Sequence, residues 1–279
     1  MKMYDCVLGI PKEVADNAFA LFERIGIGVK RTSRQFLFQI DGLGPFNKVV
    51  LMKSVDLIAR LLDGTLDAII VGEDWLAELK MANKITKIAK LDFGKKANRP
   101  VRVAVIGKTD KIIDTPDTRV IAEYPGLARR FFKKARIDCS TGSSEVQVLL
   151  GAYDYAVCVV ESGESVAANG LRVVREIMVS SMCLVAKKST PELAIFGEVL
   201  QGGLKSENFQ LLKMNIEKEH LEQAIRALPA LKSPTINQLA GGSFAVETVV
   251  AKTFVLETLI ALKQIGATDI LVQDINVLI

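Results

Sequence analysis

Short apolar, β-branched runs alternate with amphipathic stretches along most of the chain. Cys6 to Ile10 reads as a strand that Pro11-Lys12 ends. Val14, Ala18, Leu21, Phe22 and Ile25 then recur at helical spacing, and Gly26 closes the stripe. Phe36 to Ile40 and Lys48 to Met52 read as strands, and Asp56 to Leu62 as a helix ending at Asp63-Gly64. Asp67 to Val71 is a buried strand, with another helix after Gly72-Glu73-Asp74-Trp75. Arg102 to Ile106, Tyr155 to Val160 and Cys183 to Ala186 complete the strand series. This order predicts α/β layers with mostly parallel strands.

The pattern changes after Gln201 to Asn208, a polar stretch with two glycines that predicts a break and a linker. Leu211 to Ile216 reads as a strand, His220 to Leu228 as a helix and Leu231 to Thr235 as a turn. Phe244 to Val250 alternates like a strand, Val255 to Ile265 is a helix ended by Gly266, and Asp269 to Val272 is a strand. The implied order, β-α-β-β-α-β, is ferredoxin-like.

Length and charge narrow the function class. A chain of 279 residues suggests two domains with a sizeable core. No apolar run approaches the roughly 20 residues that span a bilayer. The start, MKMYDCVLGIPKE, has no signal-peptide pattern, so the expectation is a cytoplasmic protein with no membrane role. Cys6, Cys139, Cys158 and Cys183 are scattered, which predicts reduced thiols. The single histidine, His220, excludes a second histidine for any triad and makes a zinc site implausible. A net charge of +4, with its densest cluster at Arg129 to Arg136, reads as a solvated helix face with no nucleic-acid motif beside it.

The chemistry concentrates in Asp154 to Leu171, DYAVCVVESGESVAANGL. A strand stops at Glu161-Ser162-Gly163-Glu164-Ser165, and a helix-compatible segment follows. Such a junction binds anions through backbone N–H groups and hydroxyls, with Gly163 allowing close approach. The alternative is an ordinary turn with Ser165 as the helix N-cap. Thr141-Gly142-Ser143-Ser144-Glu145 is a similar small-residue turn, and Lys12 sits in another strand-to-helix turn.

Taken together these stretches resemble the ATP phosphoribosyltransferase family. The resemblance rests on the Glu161 to Leu171 loop, on Asp56 to Leu76, on Leu91-Asp92-Phe93-Gly94, on Ala122 to Phe131, on Thr141 to Val146, and on Pro234-Thr235-Ile236 with Gly266 to Val272. It implies two lobes like a type II periplasmic binding protein, residues 1–90 with 180–200 and 91–179, followed by a ferredoxin-like (ACT-like) regulatory domain at 205–279. It implies transfer of 5-phosphoribosyl from phosphoribosyl pyrophosphate to N1 of ATP, Mg2+ as cofactor and no protein metal site. Histidine would be the effector and the chain a homo-oligomer, dimer or hexamer.

The family likeness further implies that Lys12, Glu145 and Glu161 are catalytic. Cys158, Ser162, Gly163, Glu164, Ser165, Lys53, Glu73, Asp74, Gly142 and Ser143 would contact substrate, and Leu231, Thr235, Leu239 and Ala245 the effector. The chain departs from the family pattern at Cys158 (usually aspartate), at Glu13 and Val14 (usually glycine and arginine) and at Ala122 (usually threonine). A second reading open to the same residues is a non-catalytic homologue that binds a nucleotide or amino acid and regulates a partner.

Overall fold

The computed structural model describes residues 6–279 apart from 31, 33, 94–99, 162 and 230–232. The chain divides into two compact units, 1–23 with 27–197 and 24–26 with 198–279. The first unit holds two sheets. The chain enters with β1 (Val7–Pro11), a single 3-10 turn Lys12–Val14 and α1 (Ala15–Arg24). It continues through β2 (Leu37–Leu43), β3 (Phe46–Met52), α2 (Ser54–Asp63), β4 (Ala68–Gly72), α3 (Glu73–Glu78) and β5 (Thr86–Leu91). It then crosses to β6 (Val101–Gly107), β7 (Arg119–Ala122), α4 (Pro125–Phe131), β8 (Arg136–Cys139), α5 (Ser144–Leu149), β9 (Tyr155–Val160), α6 (Glu164–Ala168) and β10 (Arg172–Ser180). It returns as β11 (Met182–Ala186) and leaves along α7 (Pro191–Ser206).

The strand orders are β2-β3-β1-β4-β11-β5 in one sheet and β10-β6-β9-β7-β8 in the other. Strands β1, β3 and β4 run parallel, as do β7, β8 and β9. The pairings of β11 with β4 and β5, and of β6 with β9 and β10, are antiparallel, as is that of β2 with β3. The sheets are thus mixed rather than mostly parallel. The cause lies in the crossings: the chain leaves the first sheet at β5 and comes back at β11 pointing the other way.

Apolar periodicity explains the layers. Strand β4 is buried along its whole length, as a strand covered on both faces must be. Leu57, Ile58 and Leu61 on one face of α2 pack on Ile69 and Val71. Gly64 ends α2 in the left-handed region at φ 87°, with its N–H donating to Leu61 O. In the second sheet Val103, Val105, Val120 and Val157 face one side with Leu127 and Phe132, while Ala104, Ile106, Ala156 and Val160 face the other with Val148 and Val166.

The second unit runs β12 (Phe209–Ile216), α8 (Leu221–Ala227), β13 (Thr235–Gln238), β14 (Phe244–Ala251), α9 (Val255–Ile265) and β15 (Thr268–Asp274). Its sheet has the order β13-β14-β12-β15, antiparallel throughout. Leu212, Met214, Ile216, Val246 and Val250 meet Ala224 of α8 and Leu262 of α9 in its core. The ferredoxin-like order is present, with two local differences. Thr235 opens a strand rather than closing a turn. The expected break at Gln201–Asn208 is instead mostly helix, because α7 continues to Ser206. Gly202 is there for contact: a Cβ on it would lie 2.8 Å from Val277 Cγ1 and 3.0 Å from Ile279 Cγ1. The Leu278 N–H donates to Gly202 O at 3.0 Å, so the end of the chain lies along the helix. Among the described residues no helix is long and apolar enough to cross a membrane.

Gly9 is a closely packed point of the first sheet, set against apolar side chains. A Cβ there would sit 2.5 Å from Leu57 Cδ2 and 2.9 Å from atoms of Ile69 and Leu66. Gly9→Ala should destabilise the protein by about 1–3 kcal/mol through overpacking. Denaturant unfolding measures this, and an unchanged midpoint would show that α2 does not rest on β1 as closely as described.

Candidate functional site

The parallel strands of the two sheets end at one cleft of about 1130 Å³. Pro11 at the end of β1, Lys53 after β3 and Gly72 at the end of β4 contribute from the first sheet. Glu123 after β7, Ser140 after β8 and Val160-Glu161 at the end of β9 contribute from the second. Ligands of open α/β sheets bind at this end of the strands.

Two loops of the second sheet shape one wall. Gly163 adopts φ +84° and precedes the helical Glu164, so the chain reverses sharply between β9 and α6. Arg102 Nη2 donates to Glu161 O at 3.3 Å and steadies the loop from behind. The cap of α6 is Gly163, and Ser165 lies inside the helix rather than capping it. The other loop runs Ser140 to Glu145. Gly142 N–H donates to Ser140 Oγ at 3.1 Å. Ser144 Oγ lies 2.9 Å from Ser140 Oγ and 3.3 Å from Glu123 Oε1, and its one proton serves either. Ser143 caps α5 at φ +57°, a left-handed conformation unusual for a residue with a side chain. Left-handed residues beside right-handed ones turn successive N–H groups toward one side, the arrangement of an anion nest.

Glu145, Glu161, Gly163, Glu164, Ser165, Lys53, Asp74 and Gly142 all line this cleft. Other predicted positions lie elsewhere. Cys158 is 1% exposed, and its Sγ is 4.0 Å from Glu145 Oε1 behind the cleft wall. Burial, and then the Glu145 and Glu123 carboxylates, push its thiol far above the ordinary range, so it stays protonated. Lys12 holds its ammonium 4.1 Å above the Phe36 ring, a cation–π contact outside the lining. Ser143 stands at the N-cap position of α5 without a side-chain bond to the helix and is outside the lining. Ala122 is fully buried at the end of β7.

Glu73 is bound into the fold by Lys87 and by the Ser181 N–H at 3.2 Å. Burial alone would raise its carboxyl, but the bonds from Lys87 and Ser181 outweigh it and hold the group below the usual carboxylate range. Ser162 and Leu231 lie outside the described residues. Thr235 and Ala245 stand on adjacent strands of the second unit, two positions apart in register, and Leu239 closes the hairpin between them by donating to Ser243 O at 2.8 Å.

The lining holds groups that residue-by-residue reading did not assign to substrate: Glu13, Glu123, Tyr124, Ser140 and Ser180 among them. The Ser180-Ser181 pair between two apolar strands was the visible sign, since a buried polar pair needs partners. The result is an acidic cleft. Glu13, Asp74, Glu123, Glu145, Glu161 and Glu164 line it, against Lys53 as the lining cation among the described residues. Among those residues no group of three or more His, Cys, Asp or Glu side chains is placed to hold a metal ion.

Comparison with known proteins gives a consistent family. Residues 53–203 match the profile of HisG: ATP phosphoribosyltransferase, and 206–277 match HisG, C-terminal domain. The chain is 30% identical over 286 residues to the ATP phosphoribosyltransferase of Nitratidesulfovibrio vulgaris (strain DP4), covering 96% of each chain. It is 30% identical over 281 residues to that of Pelotomaculum thermopropionicum, covering 95% of this chain and 96% of the relative. A solved ATP phosphoribosyl transferase (HisG:HisZ) complex from Thermotoga maritima shares the fold, with TM-score 0.60 and 21% identity over 72% of this chain and 98% of that one.

Thiol chemistry checks the placement of the cysteines. The thiolate is the reactive form. Burial raises Cys158 far up and Cys183 to about 12, whereas Cys139 is exposed. Alkylation of the native protein at pH 8 should label Cys139 and spare Cys158 and Cys183 until denaturant is added. Early labelling of Cys158, read by peptide mass, would mean that its side chain opens into the cleft.

Proposed function

The chain belongs to the ATP phosphoribosyltransferase family, and on that premise we propose that it transfers 5-phosphoribosyl from phosphoribosyl pyrophosphate to N1 of ATP. The electron pair of N1 forms the new bond to C1 of the ribose as the C1–O bond breaks and its pair leaves with pyrophosphate. This is the first step of histidine biosynthesis. The observation that carries the reading is the pair of small-residue loops, Glu161–Ser165 and Ser140–Glu145, on the strand ends that face one cleft. Gly163, Glu164 and Ser165 would hold the 5-phosphate, and Gly142 and Ser143 the neighbouring phosphate oxygens. Positive charge growing at C1 would be met by the Glu145 and Glu161 carboxylates. Lys12 would leave the Phe36 ring on its flexible stem and reach the pyrophosphate. Alignment of N1 with C1 supplies much of the acceleration in such a transfer.

Charge bears on the cofactor. Two polyphosphate substrates would meet a wall of carboxylates, an unfavourable encounter unless the phosphates arrive partly neutralised. Mg2+ supplies that neutralisation and is usually held by one or two carboxylates plus substrate phosphates. The residues fit such a substrate-borne ion. Glu123 and Glu145 offer hard oxygen donors with the hydroxyls of Ser140 and Ser144 beside them. The soft Cys158 sulfur is protonated and buried. We take 1–90 with 180–200 and 91–179 as the catalytic lobes and 205–279 as a regulatory domain that assembles a homo-oligomer.

Mixing the protein with ATP, phosphoribosyl pyrophosphate and Mg2+ and following the absorbance of the N1 adduct tests the transfer. Turnover is expected, with Glu145→Gln slower by at least about tenfold and Gly163→Val raising KM for phosphoribosyl pyrophosphate. A folded wild type without turnover at saturating Mg2+ would contradict the reading and leave the non-catalytic, ligand-binding homologue.

The same reading assigns free histidine to the second unit, at Thr235, Leu239, Ala245 and Leu231. Linkage demands that histidine weaken phosphoribosyl pyrophosphate binding by the factor by which that ligand weakens histidine binding. Calorimetry should find equal factors of about five or more, and Thr235→Ala should reduce histidine affinity. No heat on histidine titration would refute the effector assignment.

A further inference from the structure

Helix α3 of the first sheet grips helix α4 of the second through three polar ties. The Asp74 carboxylate, 5% exposed, accepts a hydrogen bond from Tyr124 OH and another from Ser180 Oγ at 2.7 Å. Glu78 Oε1 accepts from Gly126 N–H at 2.6 Å, and Oε2 from Leu127 N–H at 2.7 Å. These N–H groups open α4 and have no partner inside it. Arg130 Nη2, near the end of α4, donates to Ala77 O at 2.6 Å. The Trp75 and Tyr124 rings pack with centroids 5.0 Å apart.

The approach is close enough to dictate sequence. A Cβ at residue 126 would lie 2.8 Å from Glu78 Oε1 and 2.9 Å from Glu78 O, so glycine is needed there. The crossings are tied to the same place. Ser181 O accepts from Glu73 N–H at 3.0 Å, and Ser181 Oγ donates to Asp92 Oδ1 at 3.1 Å. Asp92 follows β5, where the chain leaves the first sheet, and Ser181 lies where it returns.

We propose that the α3–α4 contact is the fixed pivot of the cleft, and that Glu78 is the positioning residue that keeps it fixed. The two sheets then turn about this contact, and the gap between Lys53 and Gly163 is the coordinate left free. Glu78 is outside the cleft lining and acts through α4, whose first turn follows directly on Tyr124. Holding one end of the cleft reduces the open arrangements that a ligand must select against, which lowers its apparent dissociation constant. The pivot requires only that some ligand sit between the sheets. Its consequence for phosphoribosyl pyrophosphate rests on the transferase reading.

A distance measurement tests it. Spin labels on native Cys139 and on Ala59→Cys in α2, in a Cys6→Ser background, report the separation of the sheets. Without ligand the distribution should be narrower in the wild type than in Glu78→Ala, which loses the tie, with Glu78→Gln between because one acceptor remains. Mg2+ with phosphoribosyl pyrophosphate should shorten the distance, and Glu78→Ala should weaken its binding about fivefold or more, with kcat at saturation changed less than twofold. Equal ligand-free widths in wild type and Glu78→Ala, with both folded by circular dichroism, would overturn the pivot. The expected widths with no response to the ligand would uphold the pivot and count against the transferase reading. If Glu78→Ala does not fold, Glu78→Gln alone decides, since an unchanged width in that folded variant overturns the proposal.

Discussion

The Asp74 carboxylate is the point on which the first unit turns. It lies in the first turn of α3, beside one sheet, and is bonded by Tyr124 from the other and by Ser180 at the return crossing. A carboxylate this deeply buried is costly unless its lone pairs are filled. Its two partners therefore hold the second sheet and the return crossing against the first turn of α3. Asp74 also lines the cleft, so the group that joins the sheets forms part of its floor. Removing any of these partners would leave a buried acceptor unpaired, a loss larger than that of an exposed hydrogen bond.

Joining the sheets in this way brings six strand ends to one cavity, and their charge sets the terms of binding. The carboxylates from Glu13 to Glu164 favour cationic or metal-bearing ligands, while Gly163 and the Ser140–Ser144 loop suit phosphate oxygens. A magnesium polyphosphate satisfies both. The departures from the family pattern fit this picture. Cys158 sits behind the wall, so its missing carboxylate is not replaced at that position, and Glu123 and Glu145 beside it supply the acidic surface.

Local sequence carried the elements whose causes are local. Tyr155–Val160 has a strand's apolar run between polar ends, and Val255–Ile265 has a helical stripe stopped by Gly266 in the left-handed region. Misreadings arose where the deciding partner is far away in sequence. Gln201-Gly202-Gly203 looked like a break because glycines usually interrupt helices, yet Gly202 accommodates Val277 and Ile279. The alternative reading of Ser165 as a cap fails for a local reason, since Gly163 two residues before it already supplies the turn. Within the candidate site, the loop residues were visible from their small side chains. The partners that place Lys12, Glu73 and Asp74 were not, because Phe36, Lys87 and Tyr124 each lie 14 or more positions away.

The central claim is that this acidic cleft receives phosphoribosyl pyrophosphate as its magnesium complex. Isothermal titration of the wild-type protein with phosphoribosyl pyrophosphate, once with excess Mg2+ and once with EDTA, tests it most directly. The account predicts one site per chain with Mg2+ and a loss of binding in EDTA. Equal affinity under both conditions, or no heat with Mg2+ present, would contradict it.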